Sequence, residues 1–544
     1  MLSHPSAAAC PAWSRSHAYQ LCALTLVLCT LSAFSEPALA QTSAPLPKEP
    51  QPAEQGLRFS IDEIRTTGNT LLDNNSLQAV LQASLGSSKT LDDIHLARLA
   101  ILEAYRQRGF ELISVDYNAR LSRDRIHYFT VSEIKLGQIT VNGVSAQAAE
   151  RVRQQLPSLT EGATPRMAHI ARELFLYNDN LAHTASLVYQ PTAQGSADVA
   201  VNVEEQPALR IEGSLNNTGS VATGETRLGL TVRHSDLMGL SHQGAVSLVT
   251  SPEHPERMRQ LSLSYQIPIP SHAAKLVLSA SDSKNDSGRV ASVFLVSGQS
   301  TSLGMHFQHS LSRDSQTRHT LDIGLNEHRY KDVLDYFGTN LGASVTTRPA
   351  SLGYHYQQSS PSDSIFTALT LQHNLPGGPL NDDATYASAR AGASAQWQTL
   401  GLDSSWQHSF KSGWMSALRL TAQHSNAPLI ASGQFGLGGQ SAVRGFSENE
   451  GAGDRGWRTH FEIYSPVFGN NHRLLGFVDS GASERINAQP GELATQQLSS
   501  YGLGWRAQFA NGLGLAADAA VVSNGTPLHA TGSTRVHLAA NWSF

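Results

Sequence analysis

The chain has 544 residues, a net charge of −5 and 40% hydrophobic residues, so it is too long for one ordinary globular domain, and its mildly acidic balance argues against a nucleic-acid partner. All three cysteines, Cys10, Cys22 and Cys29, precede residue 41. A disulfide framework and a cysteine-ligated metal are therefore excluded from everything that follows.

Arg15 and His17 precede an apolar run from Leu21 to Phe34, and small residues stand at Ala38 and Ala40. The run, about fourteen residues, is shorter than the roughly 20 that a spanning helix needs. Residues 1–40 are therefore expected to be a secretory signal rather than a membrane anchor. Residues 41–57 (QTSAPLPKEPQPAEQGL) hold four prolines and almost nothing apolar, the composition of an extended linker. Beyond the signal no stretch approaches a transmembrane helix. A β-barrel would hide in such a composition, because outward and inward residues alternate and average out.

Two similar units follow, at 58–132 and 133–207. In the first, FSIDEIRTTGNT reads as a strand closed by the Gly68-Asn69 turn, and Leu77, Val80 and Leu81 suggest a short helix. Thr90, with Asp93 three residues on, marks the start of a second helix, along which Ile94, Ala97, Ile101 and Tyr105 recur at helical spacing. Gly109 closes it, and short strands follow near Leu112–Tyr117 and Ile126–Val131. The second unit repeats this order. IKLGQITVNG is a strand, Ala146–Leu156 a helix, and Thr164-Pro165 opens another helix carrying Met167, Ile170, Leu174 and Tyr177. SLVYQPT and ADVAVNVEE close it, with Val199, Val201 and Val203 alternating. An internal duplication of about 75 residues is implied.

From residue 208 to 544 the helical period disappears and period two takes over, as in RLGLTVRHSDL, QLSLSYQIPI, KLVLSASDS and SIFTALTLQHNL. About sixteen such segments, roughly 21 residues each with their loops, suit transmembrane strands of about 9–11 residues. A soluble sandwich array or a propeller would share the alternation, but the end of the chain favours a membrane barrel. In RVHLAANWSF one face carries Val536, Leu538, Ala540, Trp542 and Phe544, and the other Arg535, His537, Asn541 and Ser543. Trp542 and Phe544 are the expected assembly signal. The fold class expected is mainly β: a 16-stranded transmembrane antiparallel barrel after two small α+β domains.

Two segments break the strand rhythm. FGLGGQSAVRGFSENEGAGDRG, residues 435–456, is dense in glycine, and GFVDSG, Gly476 to Gly481, places Asp479 on an otherwise apolar strand. With these, the chain resembles the outer-membrane transporters of two-partner secretion, of the haemolysin secretion/activation type, in the superfamily that also contains the barrel-assembly insertase. The two units resemble POTRA domains, with YRQRGF and VAVNVEE at the matching places. NNTGSVATGETRLGLTV resembles the family's entry to the barrel and SLSYQIPIP its fourth strand.

The resemblance implies a lumenal loop motif, Val443, Arg444, Gly445 and Phe446, and a wall motif, Phe477, Asp479 and Gly481. A glycine-rich loop is a poor extracellular hairpin and can fold back into the pore. There Arg444 needs a partner, and Asp479 is the carboxylate the motif offers for a bidentate pair. Phe446 is expected to pack beside it. The plain alternative is a solvated Arg444 and an Asp479 lining a turn. The resemblance further implies export of a large exoprotein from periplasm to surface without ATP, the partner's N-terminal secretion domain meeting the POTRA units through their strand edges. Outer-membrane lipid and the barrel-assembly machinery are the other expected partners; no cofactor, metal or nucleic acid is. An insertase would usually carry more POTRA units, and a passive porin would carry none. No P-loop, HExxH pair or nucleophile elbow supports an enzyme, and GLSHQG near Ser241 has the wrong spacing for an elbow. His306, His309, His319 and His328 lack metal-ligand spacing and are expected in the lumen or in loops.

Many relatives carry a pore-plugging N-terminal helix, which the prolines of 41–57 cannot form. Planar-bilayer conductance of the chain with and without residues 41–57 is expected to be similar. A large rise on deletion would show that the segment occludes the pore.

Overall fold

The computed structural model describes residues 58–193, 195–290, 294–311, 317–336, 339–340 and 342–544. The expected signal and the proline-rich linker lie outside them. Residues Phe59–Phe544 form one compact unit.

The first small domain is a three-stranded sheet in which Ile126–Glu133 lies between Glu63–Thr67, parallel to it, and Ile113–Tyr117, antiparallel. Helices α1 (Asn74–Leu81) and α2 (Leu91–Gln107) cover it. Asp73 caps α1 by accepting from the Ser76 amide at 2.8 Å, and Thr90 with Asp93 forms a reciprocal box at the start of α2. These side chains satisfy amides that a helix cannot pair internally. Ile94, Ala97, Ile101 and Tyr105 then fall on the buried stripe of α2, against Ile64, Leu77, Leu81, Phe129 and Val131. The buried Tyr105 hydroxyl donates to Glu133 at 2.7 Å. Val80, read as apolar-face, is exposed. A further pairing, Phe59–Ile61 with Gly86–Lys89, has no sequence signal, because Gly-Ser-Ser-Lys carries no strand-forming side chain.

The second domain repeats the plan. Ala197–Glu205 lies between Leu136–Asn142 and His183–Pro191, under α3 (Ala146–Gln155) and α4 (Met167–Asn178). α4 starts later than Thr164-Pro165, because Arg166 is held extended in a bridge with Phe110 of the first domain. Its guanidinium also lies over that ring, 5.1 Å from the centroid.

The described residues from 209 on close into a barrel of sixteen antiparallel strands, the pieces Thr339–Asn340, Ser344–Thr347 and Pro349–Ser359 counting as one. The first strand, Leu209–Asn216, pairs with both the second, Arg227–Leu237, and the last, Thr534–Ser543. No edge is left for lipid, which cannot hydrogen-bond a bare backbone. The small domains sit at the mouth formed by the turns at 237–242 and 270–273; the connections at 375–397 and 426–454 lie at the far mouth. Three strands, Ala274–Val290, Phe294–Ser310 and Thr317–Tyr336, run to 17, 17 and 20 residues. They exceed the about 9–11 residues of a membrane crossing.

Alternation sorts the two faces. Leu303, Met305, Phe307, Ile323 and Leu325 are exposed on the outside, while His306 faces in and bonds Asp322 at 2.7 Å. His328 also faces in, 2.8 Å from the Ser302 hydroxyl. His309 and His319 correct the expectation of lumenal or loop histidines. They share the parity of Phe307 and Leu321, so they face out beside the near mouth, where His319 bonds the Tyr354 hydroxyl at 2.6 Å. That level is the water interface, which tolerates polar rings on the outer face.

On the last strand Val536, Leu538, Trp542 and Phe544 are exposed, and the Trp542 and Phe544 rings lie against each other at a tilt, with centroids 4.6 Å apart. Replacing both rings by alanine should lower the heat-modifiable folded protein in outer-membrane fractions, since the outward anchor of the closing strand is lost. Wild-type amounts would refute a role for these rings in assembly.

Candidate functional site

The connection between the eleventh strand, Met415–Ser425, and the twelfth, Arg455–Tyr464, turns back into the barrel. Arg444 is at its tip and only 3% exposed. Its Nε donates to Asp479 Oδ2 at 2.7 Å and a terminal nitrogen to Oδ1 at 2.8 Å, the bidentate geometry that a planar guanidinium favours. The Arg444 amide adds a third bond to the same carboxylate at 3.2 Å. The other terminal nitrogen lies 2.8 Å from Glu462 and 3.3 Å from Asp518. The guanidinium carbon sits 3.6 Å from the centroid of the Phe477 ring.

The wall side chains are brought together by parity. On the thirteenth strand, His472–Glu484, Leu474 and Val478 are exposed outside, so Phe477, Asp479 and Gly481 face in. On the twelfth, Phe461 and Ile463 face out, and His460 and Glu462 face in. Cross-strand register sets His460 opposite Asp479, Glu462 opposite Phe477, and Asp518 opposite His537. His460 bonds Asp479 at 3.1 Å, Arg506 makes two bonds to Asp518 at 2.6 and 2.9 Å, and His537 Nε2 accepts from the Gly445 amide at 3.0 Å. Arg444 is thereby tied to the twelfth, thirteenth and fifteenth strands, its neighbour Gly445 to the sixteenth, and Asp518 links the group to Arg506 of the fourteenth. Two guanidinium groups face three carboxylates in a place nearly closed to solvent, where an unpaired charge would be costly.

Gly445 has φ +95°, and a Cβ there would come within 3.2 Å of Val522 and 3.5 Å of Ala520. Both the left-handed backbone and the contact with the wall require glycine. At Gly481 a Cβ would lie 2.9 Å from the Trp457 carbonyl and 3.1 Å from Leu437 of the loop. Val443 and Phe446 are fully buried with Phe435, Leu437, Leu498 and Val522. Phe446 thus packs in an apolar cluster next to the ion cluster, and Phe477, rather than Phe446, carries the guanidinium.

A second buried pair holds the base of the loop. Arg390 follows the short helix α5 (Asp383–Ala389) and grips Asp454 with two nitrogens. Asp454 also accepts from the amides of Leu429 and Ile486, at 2.8 and 2.7 Å. Around it Tyr386, Trp397, Leu429 and Ile430 form a small core. Glu462, His460, Asp518, Arg506, His537, Arg390 and Asp454 were all missed in the sequence. Inward polar residues on strands that present apolar side chains outside were the available signal for the first five. Nothing local marks Arg390 or Asp454. Among the described residues no group of histidines and carboxylates is arranged to hold a metal ion.

A closed sixteen-stranded barrel, an arginine-tipped loop locked inside it and two small domains at one mouth define a transport pore of the outer membrane. The chain belongs to the haemolysin secretion/activation protein family ShlB/FhaC/HecB, whose sequence profile matches residues 195–507, and the ShlB-type POTRA domain matches residues 59–120. It is similar to the outer membrane transporter CdiB of Dickeya dadantii (strain 3937), with 24% identity over 79% of this chain and 77% of the relative. It is also similar to the heme/hemopexin transporter protein HuxB of Haemophilus influenzae, with 20% identity over 76% and 74%. In fold it resembles CdiB from Escherichia coli, with a TM-score of 0.75 and 18% identity over 97% of each chain. The barrel therefore lies in the outer membrane with its POTRA domains in the periplasm.

Proposed function

We propose that this protein exports one large partner exoprotein from the periplasm to the cell surface, and that loop 435–456 serves that export while held by Arg444. The observation that carries the reading is the buried Arg444–Asp479 pair inside a closed barrel of this family. The division is 58–132 and 133–207 for the two POTRA domains and 208–544 for the pore. The partner's N-terminal secretion domain adds to an open strand edge, for which Ile113–Tyr117 and Leu136–Asn142 are edge strands among the described residues. The partner then threads the barrel and folds outside, and that folding, with no nucleotide, draws the chain through. An adhesin, a haemolysin and a contact-dependent toxin all fit this scheme. A neighbouring gene for a very large exoprotein with a β-helix-like N-terminal domain would supply the partner.

Arg444→Ala removes the cation shared by Asp479, Glu462 and Asp518 and leaves Arg506 as the one remaining guanidinium of the cluster. Breaking a buried pair in this way costs about 3–5 kcal/mol, so export per inserted transporter should fall by more than about tenfold. The barrel's backbone ladder does not depend on the loop, and insertion should survive. Asp479→Ala should be milder, because Arg444 keeps Glu462 and Asp518. The double variant should be little worse than Arg444→Ala alone, as expected for one coupled cluster. Near-normal export by Arg444→Ala, or fully additive defects, would contradict the tether while leaving family membership intact.

A further inference from the structure

Asp179 is the C-terminal cap of α4. The dipole of a helix is negative at that end, so an acidic cap is disfavoured unless something outside the helix compensates it. The compensation comes from the barrel. Asp179 pairs with Lys275 of the fifth strand and with Arg318 of the seventh, the latter at 2.7 Å. Burial alone would push its carboxyl upward, but the two cations outweigh this and hold it below the ordinary carboxylate range.

Both cations belong to the lumenal face. Leu278, Met305 and Leu325 are cross-strand neighbours exposed on the outside. Lys275 stands three residues from Leu278 and Arg318 seven from Leu325, odd offsets that place each on the opposite, inner face. Asp179 therefore reaches over the rim into the pore mouth instead of resting on its outer edge. A cavity of about 180 Å³ beside it is lined by Leu176 of α4 together with Lys275, Gln308, Arg318, His355 and Phe366 of the barrel.

The next residue fixes the approach. Asn180 is 4% exposed, and its side-chain nitrogen donates to the carbonyls of Ser235 and Ser241, at 2.7 and 3.1 Å, on either side of the turn between the second and third strands. Gln155 at the end of α3 bonds the Ser241 hydroxyl. A two-residue rivet thus spans the second to the seventh strand.

We propose that Asp179 is a positioning residue for export: its contact with Lys275 and Arg318 latches the second POTRA domain across the periplasmic mouth in the one orientation that delivers the partner chain to the lumen. This rests on the export reading above. Asp179→Asn keeps the shape and removes the charge, Asp179→Lys reverses it, and Asp179→Lys with Lys275→Asp restores an opposite-charge pair beside Arg318. Spin labels on cysteines at the exposed positions 188 and 411, with Cys10, Cys22 and Cys29 absent or replaced by serine, report the distance between domain and barrel. Pulsed electron resonance should give one narrow distribution for the unaltered latch and for the charge swap, and broad ones for both single variants. Export per inserted transporter should fall at least about fivefold in the single variants, as for a modest coupling free energy, and recover in the swap. If Asp179→Lys fails to insert, Asp179→Asn carries the comparison. Distributions that stay narrow in the single variants would overturn the latch, and broad distributions with undiminished export would overturn its role in delivery. The distance arm needs no exported partner, so its failure is separate from failure of the export reading.

Discussion

A guanidinium group inside a narrow lumen cannot keep its water, and everything around Arg444 follows from that. It must be surrounded by acceptors before the loop can stay inside. Asp479 supplies two of them in the fork geometry, Glu462 and Asp518 take the remaining nitrogen, and Phe477 lies against the flat face. The same residues then need the arginine, because three inward carboxylates in one confined patch of wall repel one another. The mutual dependence is what makes the loop part of the barrel rather than an appendage of it. Gly445 and Gly481 belong to the same constraint, since a side chain at either would push loop and wall apart.

The barrel carries buried or half-buried ionic contacts at three levels. Asp179 meets Lys275 and Arg318 at the periplasmic mouth, Arg444 meets Asp479 inside, and Arg390 meets Asp454 toward the surface. Each joins a domain or a loop to the barrel ladder or to another loop. Ionic pairs suit such joints. Apolar packing gives affinity without direction, whereas ionic pairs, above all the bidentate ones of Arg444 and Arg390, specify a geometry and weaken when water enters. A pore that must hold a shape at rest and let a chain through gains from contacts of that kind.

Much of this was legible in the residues. Period-two alternation together with the aromatic-ended last strand pointed to the barrel, the Thr90–Asp93 box to the start of α2, and Val199, Val201 and Val203 to a core strand. Arg444 and Asp479 stand out locally, an arginine within glycines and a carboxylate within an apolar strand, but it is the resemblance to the secretion family that names them as a lumenal pair. Their further partners could not be named, because register decides them. His460 meets Asp479 only when the twelfth and thirteenth strands pair as they do, and a slip of one residue would turn it to lipid. Gly86–Lys89 forms a strand on its partner's account. The rivet at Asp179 and Asn180 is hidden for the same reason: an Asp-Asn step after a helix reads as an ordinary stop, the partners of Asp179 lie 96 and 139 residues further on, and those of Asn180 lie 55 and 61.

We infer that the ion cluster, and not the loop's own fold, keeps residues 435–453 inside the lumen. Hydrogen exchange of the membrane-inserted protein, read by mass spectrometry on peptides from that segment, tests it most directly. This segment should exchange slowly in the unaltered chain and rapidly in Arg444→Ala, with the strands around it unchanged. Equal protection of the loop in both would contradict it.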